Sequence, residues 1–362
     1  MAYTTVNKST AHFNTLTYSG NGSNPRTLTG VGFQPDFVWQ KNRTDSNGHT
    51  LADAVRGANK TLSSDGTGAE VTDKSDGHLD AFTSDGFTVG AGSGGDARVN
   101  DGSHTYVAWN WKANGAGSSN SDATGSYPIT STVSANTTAG FSIVKYTGNG
   151  YSTATIGHGL GSKPAMVIMR PLGYTGAWWI IHKDLTADHV LEFNTNAQAN
   201  ISSFGGGGLK YSTFTNAVIG GGNGSSNSDL WNKSGEDYIA YCFAEKTGYS
   251  KFGSYTGNGN TNGTFVYTGF KPAFVIIKNT AVTEHWAMHD NKRPGYNGNG
   301  YYLYPNLSNA EVANNSSHTV DFLSNGFKIR SDNDQWNDVE TMIYMCFGQS
   351  LVGSNNVPNT AV

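Results

Sequence analysis

Hydrophobic positions in this chain fall into short runs separated by turn residues, and no stretch holds a helical period of convincing length. One arrangement of runs occurs three times. It reads YSGNGSNPRTLTGVGFQPDFVWQK from Tyr18 to Lys41 and YTGNGYSTATIGHGLGSKPAMVIMR from Tyr146 to Arg170. The third copy reads YTGNGNTNGTFVYTGFKPAFVIIK, from Tyr255 to Lys278. Each copy has an aromatic, a Gly-Asn-Gly turn, a short β-rich run, a second glycine turn, and a proline opening an apolar strand that ends on a basic residue. Asn-Gly at 21–22, 149–150 and 258–259 supplies the positive φ of a tight turn. Pro35, Pro164 and Pro272 stand where a missing N–H costs no ladder bond. The runs that follow (FVWQK, MVIMR, FVIIK) are apolar at consecutive positions, so the pattern predicts strands buried on both faces or covered by a second sheet.

Further runs complete each unit. YVAWNW (Tyr106 to Trp111), YIAYCFAE and MIYMCFGQ read as closing strands, and FTSDGF and FLSNGF read as hairpins in the first and third units. The second unit has only FTNAV at Phe214 to Val218, which lacks the glycine and needs a different turn. The spacing from Tyr18 to Tyr146 is 128 residues, against 109 from Tyr146 to Tyr255. The excess lies in a Gly/Ser/Asn/Thr-rich stretch read as a linker, within which 129–133 has the makings of a short strand along a neighbour. The expected organisation is a β-sandwich repeat at 1–115, a linker at 116–140, a second repeat at 141–248, and a third at 249–362 that ends in a polar tail. Units two and three, joined directly, are expected to form the stiffer pair. With many short strands and no helices to cover a sheet, two sheets must cover each other. The predicted fold is all-β: three tandem jelly-roll-like sandwiches of about 100–110 residues.

Composition narrows the function. Charged residues make up 14% of the chain, with 47 glycines, but 12% aromatic content argues against disorder. A net charge of −4 with no basic cluster gives nucleic-acid binding little support. No apolar run is long enough to insert in a membrane. The N-terminal MAYTTVNKST lacks the basic and apolar segments of a secretory signal. Cys242 and Cys346 occupy matching places and read as small core residues.

Candidate sites are few. Trp179 with His182, and Trp286 with His289, sit at the same spacing in units two and three and suggest an indole stacking on a pyranose beside a hydrogen-bonding group; the plainer alternative is core packing. Trp231 and Trp336, each beside an asparagine before a closing strand, suggest either a contact surface for a glycan or subunit, or a lid on the sandwich. Asp53 with Arg56 and Asp290 with Arg293 share a D-x-x-R spacing and read as ion pairs fixing loops. Asp332, Asn333, Asp334 and Asp338 crowd one loop without the spacing of a known calcium loop. No carboxylate pair, nucleophile elbow, zinc spacing or phosphate loop is recognisable, and Gly205 to Gly208 reads as a turn. Neither a catalytic residue nor a cofactor is expected.

YTGNG followed by GFKPAFVIIK, together with SNGFKIR, YCFAEKTGYSKFGSYTGNG, DNKRPGYNGNG and ITSTVSANTTAGFSIVKYTG, resembles a repeat module of marine tailed-bacteriophage virion proteins, and the resemblance covers nearly the whole chain. The first unit departs most, with ADAVRG where the third has HDNKRPG. The resemblance implies a non-enzymatic tail-fibre or tail structural protein, made in the host cytoplasm and incorporated in the virion. Its expected partners are other virion subunits and a host-surface glycan, with a homotrimer expected by analogy to phage fibres. An architectural capsid-decoration or tail-scaffold protein is the alternative, and a glycan depolymerase a more distant one.

Overall fold

The structure, a computed structural model, describes residues 4–185, 189–197, 208–222, 229–298 and 300–352. The chain is all-β. Among the described residues, α-helix is limited to the single turns α1 (Asp229–Asn232) and α2 (Asp334–Asn337). The polar tail from 353 onward and residues 205–207 of the glycine run lie outside the described residues.

The first repeat contains β1 (Phe13–Ser19), β2 (Arg26–Thr29), β3 (Phe37–Asn42), β4 (Thr50–Asp53), β5 (Gly57–Leu62), β6 (Val71–Thr72), β7 (His78–Thr83), β8 (Gly86–Gly90) and β9 (Thr105–Trp111). They form a large sheet in the order β1-β9-β3-β4-β5-β6 and a small one in the order β2-β8-β7. The second contains β10 (Ser118–Asn120), β11 (Pro128–Ile129), β12 (Ser131–Asn136), β13 (Phe141–Thr147), β14 (Thr155–Gly157), β15 (Met166–Pro171), β16 (Trp179–His182), β17 (Leu191–Glu192), β18 (Val218–Gly220) and β19 (Asp237–Phe243). Its sheets run β10-β12-β13-β19-β15-β16-β17 and β11-β14-β18. The third contains β20 (Ser250–Thr256), β21 (Phe265–Tyr267), β22 (Lys271–Asn279), β23 (Ala287–Asp290), β24 (Val320–Leu323), β25 (Gly326–Ile329) and β26 (Thr341–Gln349), in the orders β20-β26-β22-β23 and β21-β25-β24.

The closing strand lies mid-sheet each time, between the strand that leads into the Asn-Gly turn (β1, β13 or β20) and the proline-opened strand (β3, β15 or β22). Register makes the units superimposable: Phe37 pairs with Trp111, Met166 with Phe243, and Phe274 with Phe347. The Asn-Gly turns have the expected positive φ, at Gly22 (68°), Gly150 (82°) and Gly259 (61°). Residues 116–140, read from sequence as a linker, instead supply β10, β11 and β12. A Gly/Ser/Thr composition is compatible with edge strands once a neighbouring strand satisfies the backbone.

Strand alternation explains the consecutive apolar positions. In β9, Val107, Trp109 and Trp111 face one way, and Ala108 faces the small sheet with Leu28, Leu79, Phe87 and Val89. In β19 and β26 the same split sends Ile239, Tyr241 and Phe243, and Ile343, Met345 and Phe347, into the first group. That group is one core common to all three repeats. Phe347 stacks on Phe13 at 5.2 Å and packs edge-on against Trp111 at 5.9 Å and Phe243 at 6.0 Å. Each large sheet is therefore buried on both faces, once within its own unit and once at the centre. The 128-residue spacing marks no loose joint: units one and two share this core, as units two and three do.

Candidate functional site

The predicted sugar platform is absent as such. Trp179, His182, Trp286, His289, Trp231 and Trp336 are all buried, and an indole without a free face cannot stack on a pyranose. The sequence match between the two Trp/His pairs was also one residue out of register. His182 opposes Met166, and Asp290 opposes Phe274, so Trp286 corresponds to Trp178 rather than to Trp179. A one-residue slip on a strand reverses the face. Trp178 and Trp286 accordingly lie in the central core, whereas Trp179 lies in the core of unit two. His182 presents Nε2 to the Tyr344 carbonyl at 3.3 Å, and burial lowers its pKa to about 3. His289 packs 4.9 Å from the Trp336 ring.

Trp231 and Trp336 are lids. Their carbonyls accept from the hydroxyls of Tyr146 and Tyr255, both at 2.5 Å. The asparagine that follows each holds the Gly-Asn-Gly turn. Asn232 Nδ2 donates to Asn149 Oδ1 at 2.8 Å, and Asn337 Nδ2 to Asn258 Oδ1 at 3.0 Å. Asn100 Nδ2 makes the matching bond to Asn21 at 3.1 Å in unit one. Sequence reading missed this device, although three asparagines 79, 83 and 79 residues downstream of the turn asparagines were its trace. Of the crowded acidic loop nearby, Asn333 caps α2 by accepting from the Gln335 N–H at 2.9 Å, and no metal-binding cluster occurs among the described residues.

The two D-x-x-R pairs are ion pairs, as read, but they are buried and lie between units. Asp53 accepts from Arg56 Nε at 2.5 Å and from the Tyr241 hydroxyl of unit two at 2.8 Å. Asp290 accepts from Arg293 Nε at 2.7 Å and from Trp109 Nε1 of unit one at 3.0 Å. Burial alone would raise the Asp290 pKa, but the Arg293 charge and these hydrogen bonds outweigh it and hold the carboxyl below the usual range. Register puts His182 at the equivalent place in unit two, and its contact is with unit three. The three units thus close a ring, each reaching the closing strand of the next.

The basic residue ending each apolar strand belongs to the same interface. Lys41, Arg170 and Lys278 are fully buried. Arg170 donates to the carbonyls of Thr67 at 3.1 Å and Gly68 at 2.5 Å in unit one. Lys41 and Lys278 cap the carbonyls of their own following loops, at Asn42 and Asn279, both at 2.5 Å. Burial lowers both lysines to about 8, with nearby carboxylates opposing the shift.

Aromatic faces open to solvent lie elsewhere. Tyr127 and Tyr151 stack in parallel at 3.7 Å, both exposed. Phe265 and Tyr267 project from β21, 43% and 55% exposed, with Val266 buried between them. Tyr267 borders a groove of about 310 Å³ at the junction of units two and three, lined also by Glu245, Thr247, Ser250, Lys251 and Thr268.

A family model described as Domain of unknown function (DUF7483) matches residues 8–350. The chain belongs to that family. Neither a curated protein nor a solved structure matches it. The DUF7483 match runs through all three repeats, so what the family model describes is the triple and not the single repeat, in keeping with a core that no repeat completes alone.

Proposed function

We propose that this DUF7483 chain is a structural protein of a bacteriophage virion, part of a tail fibre or similar appendage, and that it contributes to attachment at host-surface glycans. The observation that carries this reading is the division of labour among its aromatics. The tryptophans named as candidate sites are spent on packing, which makes a stiff scaffold, while Tyr127, Tyr151, Phe265 and Tyr267 are presented to solvent. Rings of this kind offer rigid, amphipathic contact area at low entropic cost. The buried carboxylates Asp53 and Asp290 are each committed to an arginine and a partner from the next unit, a structural use.

Binding of the purified protein to whole candidate host cells, before and after periodate oxidation of their glycans, tests the proposal. Saturable binding lost on oxidation is expected. An absence of binding to every host the phage infects removes the attachment role and leaves capsid decoration or tail scaffolding. That architectural reading draws on β21, an edge strand whose exposed aromatics would suit a neighbouring subunit.

A further inference from the structure

We infer that the groove at the junction of units two and three binds an acidic pyranose, a uronic-acid residue of a surface polysaccharide, through the ring of Tyr267 and the ammonium of Lys251. The inference rests on the glycan-attachment reading and adds to it both the location and the chemical class of the ligand.

Strand β21 borders the groove through Tyr267. It is the outer strand of its sheet, and alternation turns Phe265 and Tyr267 outward. Strand residues two apart lie about 6.6 Å apart on one face, so the two rings form a short aromatic strip. Charge in the groove is unevenly matched. Glu245 is occupied: it accepts from Lys183 Nζ at 2.9 Å and from the Phe252 N–H at 3.1 Å. Lys251 Nζ donates to a neutral acceptor, the Tyr267 carbonyl, at 3.0 Å, and lies 5.4 Å from the centroid of the Tyr267 ring. No carboxylate forms a salt bridge with Lys251 among the described residues. The groove therefore sets one unneutralised ammonium beside an exposed aromatic face. A neutral sugar would use the face and leave the ammonium in water. A pyranose bearing a carboxylate uses both, and a charge-assisted hydrogen bond is stronger than a neutral one. Thr247 adds a hydroxyl at the wall, whereas the buried Ser250 and Thr268 hydroxyls are spent on the Ala244 and Phe270 carbonyls. With a net charge of −4, the chain as a whole offers no general attraction for polyanions, so selectivity must be local.

The test uses the full chain and three polyuronates, namely polygalacturonate, alginate and hyaluronan, each beside its carboxyl-reduced form. Lys251→Gln alters a half-buried side chain and Tyr267→Ala an exposed one, and circular dichroism and thermal melting check that both variants fold. Wild type is expected to bind at least one polyuronate and to lose about tenfold or more in affinity on carboxyl reduction, with a similar loss in each variant. Failure to bind all three polymers overturns the inference, as does binding that either variant leaves unchanged. The same variants in the whole-cell assay separate the two readings. Cell binding that is periodate-sensitive yet indifferent to both substitutions sinks the groove and leaves attachment standing. Polyuronate binding without cell binding does the reverse.

Discussion

Replacing Asp290 with alanine removes the acceptor of four donors: the N–H groups of Lys292 (2.9 Å) and Arg293 (3.0 Å), Arg293 Nε (2.7 Å) and Trp109 Nε1 (3.0 Å). Breaking a buried pair by deleting one partner costs about 3–5 kcal/mol, and a buried donor left without an acceptor costs about 1–3 kcal/mol. These overlap. Arg293 also keeps Glu311 at 2.8 Å, so its charge is not wholly orphaned. A loss of about 4 kcal/mol is expected, a large share of the roughly 5–15 kcal/mol that holds a typical domain. Arg43, partly exposed at the outer end of the network, provides the control: Arg43→Met should cost only about 1 kcal/mol. Asp290→Ala combined with Arg293→Met removes both ions and leaves Glu311 paired with Arg43 at 2.7 Å, so it should be less damaging than Asp290→Ala alone. The assay is equilibrium denaturation followed by tryptophan fluorescence and far-ultraviolet circular dichroism. Because the three units share one core, the two signals should give a single coincident transition. An Asp290→Ala loss below about 1 kcal/mol, or a double variant no more stable than the single, would refute the reasoning.

Two further outcomes follow from burial. Lys41 and Lys278, at about 8 when folded against an ordinary 10.5, bind fewer protons folded than unfolded across that interval. Stability should therefore rise with pH from 8 towards 9 and level off above that, where Cys242 and Cys346, raised by burial, keep protons that the unfolded chain releases. Above about 10 it should fall, because Tyr146, Tyr241 and Tyr255, raised by burial, keep protons that the unfolded chain releases. His182 and His49, lowered by burial to about 3 and about 4, give a second decline as pH drops below 6.5. Urea midpoints measured between pH 4 and 11 check these signs, and a Lys41→Met/Lys278→Met variant that keeps the alkaline rise would contradict the first. Cys242, pushed up to about 12, and Cys346, also raised, are buried and protonated, so a thiol reagent should leave both unmodified until the chain unfolds; rapid native labelling would show otherwise.

Much of the fold was legible because its signals are local. Asn-Gly dictates positive φ at Gly22, Gly150 and Gly259 wherever the segment is placed, and Pro35, Pro164 and Pro272 stand at or just before strand starts. Period-two alternation in YVAWNW separates Val107, Trp109 and Trp111 from Tyr106, Ala108 and Asn110 on local grounds alone. The D-x-x-R spacing is short enough to give an ion pair without tertiary help. Register is different. Nothing local distinguishes Trp178 from Trp179 as the mate of Trp286, because that choice is made by which residue opposes Met166 across the sheet. Composition likewise misled at 116–140, since a Ser/Thr/Asn stretch forms strands only when another edge accepts its hydrogen bonds.

By itself the sequence determined the repeat, the all-β character, the turns and the two-faced strands, each set by residue chemistry within a few positions. Tertiary structure alone decided what the second face meets. Three large sheets turn those faces inward on one core, so tryptophans that looked like binding groups became packing, strand-end lysines and an arginine became buried clamps, and among the described residues the exposed aromatics are Tyr127, Tyr151, Phe265 and Tyr267. The reason is long-range. Burial of a side chain depends on which distant strands close over it, and contacts such as Trp109 with Asp290, 181 residues apart, leave no mark in the neighbouring sequence.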